Sequence, residues 1–162
     1  MTDVPTLKLS IILERLPLES RWASHHWELI GVVPDLGGEP RTLVERDTVW
    51  QKLYPGFEVS LHRDEAEGYF LNASSEAPSV FVSLRTDEGG EEPYPFQATL
   101  SYNEAARWMD ANERVERIAA WPELASWMGA WVAENYRPEP KKRRRPNSFK
   151  GKEDRLREEG TS

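Results

Sequence analysis

The sequence contains no cysteine, and this absence excludes several kinds of site at once. Without a thiol, the chain cannot form a disulfide, ligate an iron–sulfur cluster, hold zinc through thiolates or use a cysteine nucleophile. Long apolar runs are also missing, and the amino end lacks the basic start and continuous apolar stretch of a signal peptide. We therefore expect a cytoplasmic, soluble protein with no transmembrane segment.

Motifs of catalysis and metal binding are equally scarce. The three histidines are His25, His26 and His62, and the order HHWE differs from the zinc motif HExxH. A strand would send His25 and His26 to opposite faces. No G-x-S-x-G element occurs, and the glycine doublets at 37–38 and 89–90 match neither a Walker loop nor a dinucleotide fingerprint. The sequence predicts no catalytic residue, no metal site and no cofactor, and favours a non-enzymatic role.

Charge divides the chain near Tyr136. The 162 residues carry a net charge of −7. From Arg137 onward ten Lys or Arg stand against five Asp or Glu, a net of +5, which leaves eleven against twenty-three, a net of −12, in the body. We predict a single domain over residues 1–136 and a basic, disordered tail over residues 137–162.

Alternation of apolar and polar residues predicts strands through most of the body. It is clear from Leu7 to Leu13 and from His26 to Val33. Residues 43–54 have the pattern of a hairpin, after which Pro55 and Gly56 are expected to turn the chain. The stretch Phe57–Arg85 is predicted to form three strands of an antiparallel meander.

The middle strand of that meander is predicted at Ala66–Asn72, where Gly68 indicates a bulge or a close approach of backbone. Counting these segments gives about seven or eight strands. The expected body is a mostly antiparallel sheet, folded as a sandwich or a partly open barrel.

Two helices are predicted after the strands, which makes the fold class α+β. Ser101 followed by Glu104 has the spacing of a capping box, so a helix should begin there. Pro122 suits the first turn of the second helix. Its apolar stripe is typical of a helix that covers a sheet, and consists of Leu124, Trp127, Met128, Trp131 and Val132.

The basic run of the tail has several interpretations. It could contact nucleic acid without sequence preference, an anionic membrane surface, or an acidic protein surface, and it could simply be solvated. The residues of this run are Lys141, Lys142, Arg143, Arg144 and Arg145.

Several motifs together resemble a bacterial family known as domain of unknown function 3305. The resemblance extends from about residue 7 to residue 145, and one departure is Trp121-Pro122, where relatives are expected to have methionine and proline. The residues that carry it are LER at 13–15, RW at 21–22 with Trp27, LHRDEAEGY at 61–69, Asn72, Val80–Arg85, SYNEAARWMD at 101–110, AWV at 130–132 and PEPKKRRRP at 138–146.

The resemblance implies a partner rather than a reaction. Such proteins are encoded beside molybdenum- or tungsten-dependent formate dehydrogenases, so a role in assembly, maturation or docking of that enzyme is expected. Some relatives are labelled for molybdopterin-guanine dinucleotide synthesis. That activity needs a glycine-rich phosphate loop after the first strand, where this chain has ERLPLESRW.

Two alternative functions remain open at this point. One is binding or processing of a pterin cofactor, in a pocket lined by Arg63, Glu67, Tyr69 and Trp27. The other is a nucleic-acid contact through the tail. For any ligand or partner, the segment LHRDEAEGY is more polar than a turn requires, and the candidate residues are Arg63, Glu65, Glu67, Tyr69, Trp22 and Trp27.

Overall fold

The computed structural model describes residues 4–17, 25–46 and 49–138. Within them, seven strands form two open antiparallel sheets. The first sheet has the order β2-β1-β4-β3 and the second has the order β6-β5-β7. The strands are β1 (Thr6–Pro17), β2 (His25–Pro34), β3 (Arg41–Arg46), β4 (Val49–Ser60), β5 (Ser79–Thr86), β6 (Pro93–Thr99) and β7 (Arg114–Ala119).

Three α-helices complete the described part of the chain. They are α1 (Ala66–Ala73), α2 (Tyr102–Asp110) and α3 (Pro122–Asn135), and a single 3₁₀ turn at Arg63–Glu65 precedes α1. None of the described helices is long and apolar enough to cross a membrane. The predicted α+β class is confirmed, with one helix more than the two expected. Residues 139–162 of the predicted tail lie outside the described ranges.

Both sheets and α3 contribute to one hydrophobic core. The core side chains of β1 and β5 are spaced two residues apart, as period two requires, although the intervening residues of β5 up to Leu84 are buried as well. α3 contributes three side chains of the apolar stripe, while Trp127 and Trp131 are half-buried. The fully or almost fully buried members include Leu9, Ile11, Leu13, Val80, Val82, Leu84, Leu124, Met128 and Val132.

Side chains of β7 connect the edges of the two sheets. The Leu29 backbone N–H of β2 donates to Oε1 of Glu116 at 3.2 Å. Arg114 donates from Nη2 to the carbonyl oxygen of Trp27 at 2.9 Å, and also pairs with Glu116 at 2.6 Å. Polar backbone groups at the edge of β2 are thereby satisfied without a continuous ladder between the sheets.

The meander predicted between Phe57 and Arg85 is wrong, because Ala66–Ala73 is helix α1. Its buried residues include Ala66, Tyr69 and Asn72, which share a face at spacings of three. The cluster of Tyr69 with its aromatic and aliphatic neighbours had favoured a strand. β4 and β5, on either side of α1, belong to different sheets.

Pro55 and Gly56 also differ from expectation, since β4 continues through them. The pairing of β1 with β4 shifts register between Leu9 and Ile11, which marks a bulge of β4 at this pair. Gly56 has φ of 85°, and its N–H donates to Oδ1 of Asp35 at 2.8 Å. The pair therefore bends the strand instead of ending it.

The predicted helix start at Ser101 is confirmed. Its Oγ accepts from the Glu104 N–H at 2.9 Å. The reciprocal half of the capping box passes through a third residue: the Ser101 N–H donates to Oγ1 of Thr99 at 3.0 Å, and the Thr99 hydroxyl donates to Oε1 of Glu104 at 2.5 Å. The backbone N–H groups of Ser101 and Glu104 therefore both have acceptors at the start of α2.

Candidate functional site

The segment Leu61–Tyr69 leads from β4 into α1 and contains both exposed and buried residues. Leu61 and Tyr69 are buried, whereas His62, Arg63 and Asp64 are exposed on the 3₁₀ turn and the residue before it. The three exposed residues are called the polar turn below. Its position is set by the buried residues that flank it.

Tyr69 anchors the polar turn from beneath. Its hydroxyl donates to the Ser60 carbonyl at 2.9 Å and accepts the His62 N–H at 3.0 Å. Its ring packs edge-to-face against Trp131, with centroids 5.6 Å apart and an interplanar angle of 84°. Burial raises the pKa of Tyr69 to about 12. Tyr69 is therefore a neutral, fixed support for the turn.

Glu65 and Glu67 face α2 rather than Arg63. Glu65 accepts from the Ser101 hydroxyl at 2.6 Å and from Arg107 at 2.5 Å. Glu67 accepts from Nδ2 of Asn103 at 3.3 Å. These carboxylates join the start of α1 to α2, so a part of the polarity of LHRDEAEGY serves the fold.

Two concave surfaces meet at the polar turn. One, of about 690 Å³, is lined by Val4, Leu61, Trp131 and Asn135 among others, and is called the Trp131 groove. The other, of about 410 Å³, is acidic, and its lining includes Glu58, Glu65 and Glu104. His62 and Asp64 line both. The polar turn therefore lies between the two surfaces.

The predicted pocket of Arg63, Glu67, Tyr69 and Trp27 does not form in either concavity. Arg63 lines the Trp131 groove and Tyr69 lines the acidic one, while Glu67 and Trp27 line neither. Trp27 is buried on β2. Trp22 and the basic run at 141–145 lie outside the described residues, so their predicted contacts stay predictions.

Trp27 belongs instead to a cluster of indoles and cations at the ends of β1, β2 and β4. The Arg15 guanidinium lies 4.0 Å from the ring centroid of Trp50 and 6.0 Å from that of Trp27. Lys52 lies 5.9 Å from Trp27 and pairs with Glu92. Arg15 is in register with both indoles, so the cluster stabilises the sheet through cation–π contacts.

Sequence reasoning missed Trp131, His62 and Asp64 as groove residues. The helical spacing of Trp131 assigned it to the core. Its side chain is half-buried there, and the rest of it lines the groove. Its approach to residues near position 62 depends on packing of α1 against α3, for which the sequence carries no local signal. Asp64 and His62 stood inside the polar segment, and the polar composition of that segment was the available sequence signal.

The described residues contain no group of three or more His, Asp or Glu side chains placed to bind a metal ion. The acidic concavity has carboxylates, but Glu65 is paired with Arg107 and Glu104 accepts from Thr99. These bonds hold the ends of α1 and α2 in place.

Two open sheets with three helices, and an exposed polar turn between two concave surfaces, define a small α+β protein. The chain belongs to the family described as "Protein of unknown function (DUF3305)", which matches residues 8–145. This confirms the family that its motifs indicated. No curated protein and no solved structure matches the chain.

Proposed function

We propose that the protein is a non-enzymatic accessory protein that binds a molybdenum- or tungsten-dependent formate dehydrogenase during its assembly, maturation or docking. The family resemblance supplies the partner. Support from the molecule itself comes from the polar turn, which is exposed and yet held by bonds from buried residues.

The observation that carries this proposal is the double hydrogen bond of the Tyr69 hydroxyl to the backbone of Ser60 and His62. It fixes the backbone on which Arg63 and Asp64 are displayed. A recognition segment that is already ordered loses less conformational entropy on binding. Preorganisation of this kind suits a docking contact.

Arg63 is the strongest candidate for the contact itself. Its side chain is exposed, and it makes no ion pair with another residue of the described ranges. Arginine is enriched in protein interfaces because its planar guanidinium pairs with carboxylates through two hydrogen bonds. We infer an acidic residue opposite Arg63 on the dehydrogenase.

Co-purification with purified formate dehydrogenase tests the proposal. The tagged full chain and a chain ending at Tyr136 are each mixed with the enzyme and recovered on the tag. Retention of the enzyme by the full chain is the expected result, and weaker retention by the shorter chain would assign a contact to the tail. Failure of both chains to retain the enzyme would refute the proposal.

A second candidate is binding of a pterin cofactor, and the observation that favours it is the Trp131 groove beside Arg63. Native mass spectrometry of the protein expressed in a host that makes the cofactor tests this function. A retained pterin mass is expected. Repeated spectra of the unliganded chain from such a host would count against it.

A further inference from the structure

The Trp131 groove has the dimensions of a small-molecule site. Its volume is about 690 Å³, inside the range of roughly 300–1,000 Å³ that ligand pockets occupy. The groove is bounded by the two residues before β1, the polar turn and the end of α3. Apolar walls come from Val4, Pro5, Leu61 and Trp131.

Trp131 is a fixed aromatic wall of this groove. Its half-buried ring packs edge-to-face on Tyr69, which is itself held by two hydrogen bonds. The Trp131 carbonyl accepts from Nδ2 of Asn135 at 2.9 Å, which holds this second lining residue against the same helix. A ring that stacks on an indole fixed in this way loses little of its affinity to side-chain ordering.

Two opposite charges stand at the rim. Arg63 is exposed and has no ionic partner among the described residues, and its guanidinium suits a carboxylate or a phosphate. Asp64 is acceptor-only when ionised, so it suits an amino group and repels a second anion. The rim therefore favours a ligand that has one anionic group and, on another edge, an amino group that donates hydrogen bonds.

We propose that the Trp131 groove binds an amino-substituted, fused bicyclic heteroaromatic ring that carries a single anionic group. The ring stacks on Trp131 above the apolar wall at Leu61. The anionic group binds Arg63, and the amino group donates to Asp64. Purine mononucleotides and pterin carboxylates share this chemistry. The inference extends the second candidate function proposed above, and it shares Arg63 with the proposed dehydrogenase contact.

Titration of the ¹⁵N-labelled full chain, followed through the indole N–H resonances, tests the site. The probes are adenosine 5′-monophosphate, pterin-6-carboxylate, adenosine, which has the ring without the anion, and ribose 5-phosphate, which has the anion without the ring. At least one of the first two is expected to shift the Trp131 resonance. Its affinity should exceed those of adenosine and ribose 5-phosphate about tenfold, the usual effect of a charge-assisted hydrogen bond or a stacked base.

Single substitutions separate the two contacts. Arg63→Gln and Trp131→Leu should each weaken the tighter probe about tenfold. Arg46→Gln, at an exposed arginine of β3, and Trp108→Leu, at a half-buried indole of α2, are matched controls that should leave the affinity unchanged.

Three results would overturn the inference. They are affinities of both complete probes no better than those of the two fragments, an unchanged affinity of Arg63→Gln, and a shift confined to indoles other than Trp131. Arg63 is exposed, so its variant remains decisive even if Trp131→Leu fails to fold. Preference between the two complete probes distinguishes a purine ligand from a pterin.

Discussion

At the scale of a single residue, Gly68 allows α1 and the start of α2 to approach each other closely. A Cβ atom at this position would lie 2.1 Å from Oγ of Ser101 and 3.1 Å from the backbone nitrogen of Asn103. The sequence had indicated a bulge or a close backbone approach here. The close approach is confirmed, and it occurs in a helix rather than a strand.

Replacing Gly68 with alanine should therefore destabilise the fold, although alanine is the better helix former. The overpacked contact should lower the free energy of unfolding by about 1–3 kcal/mol, measured by urea denaturation. Gly129→Ala in α3 is the matched control, because a Cβ there meets nothing within 4 Å. It should raise stability by up to about 1 kcal/mol. A gain in stability for both variants would contradict the close contact.

Asn72 organises the buried junction of α1, β5 and the start of α2. Its Nδ2 donates to the carbonyls of Ser79 at 2.8 Å and Leu100 at 2.9 Å, and its Oδ1 accepts the Ser79 N–H at 2.9 Å. Asn72 is 1% exposed. The sequence pattern places Asn72 at the end of a predicted strand, and only the tertiary partners identify its role.

Asn72→Ala should lower the free energy of unfolding by about 3 kcal/mol, because it leaves three buried backbone groups without partners. Thermal and urea denaturation both measure this loss. Asn103→Ala removes a single 3.3 Å bond to Glu67 at the surface and should cost less than about 1 kcal/mol. Equal losses of unfolding free energy in the two variants would contradict a stabilising role for the buried hydrogen bonds of Asn72.

At the scale of elements, Asp35 holds the bulge of β4 against the end of β2. Its carboxylate accepts from the Gly56 N–H at 2.8 Å and from the Ser10 hydroxyl at 3.1 Å. The Gly56 bond is the main cause that lowers the pKa of Asp35 below its ordinary value of 3.8. A lowered folded-state pKa stabilises the fold above the unfolded pKa, and this contribution is lost as the pH falls through the folded one.

Asp35→Asn should accordingly reduce the pH dependence of stability in the acid range. Wild-type protein should lose urea-midpoint stability between about pH 5 and pH 2, and the variant should lose less over the same interval. Asp110→Asn, at an exposed position of α2, is the control and should follow the wild type. Identical acid profiles for all three proteins would contradict the role of the Asp35 carboxylate.

Period-two alternation predicted β1, most of β2 and β5 because their inner faces pack on the core. It failed at Ala66–Ala73, since eight residues with clustered aromatic side chains fit either a strand or a helix. The helix is favoured by two tertiary contacts: the Tyr69 hydroxyl donates to the Ser60 carbonyl, and Gly68 packs on Ser101. Those contacts lie outside any local pattern.

At the scale of the whole molecule, the sequence located one end of the candidate site and missed the other. Arg63 belongs to a polar segment whose composition marked it. The groove next to it joins residues from Val4 to Asn135, and this joining depends on how α3 packs against α1. Arg63 consequently lines a groove with Trp131 and not, as expected, with Trp27.

The affinity of immobilised wild-type protein for purified formate dehydrogenase tests the docking account most directly. The account predicts specific binding that Arg63→Glu weakens at least about tenfold, because reversing the charge sets two anions against each other at the contact. Arg46→Glu, on an exposed part of β3, controls for the change in net charge and should bind nearly as well as the wild type. Absence of wild-type binding, or equal losses in the two variants, would contradict the account.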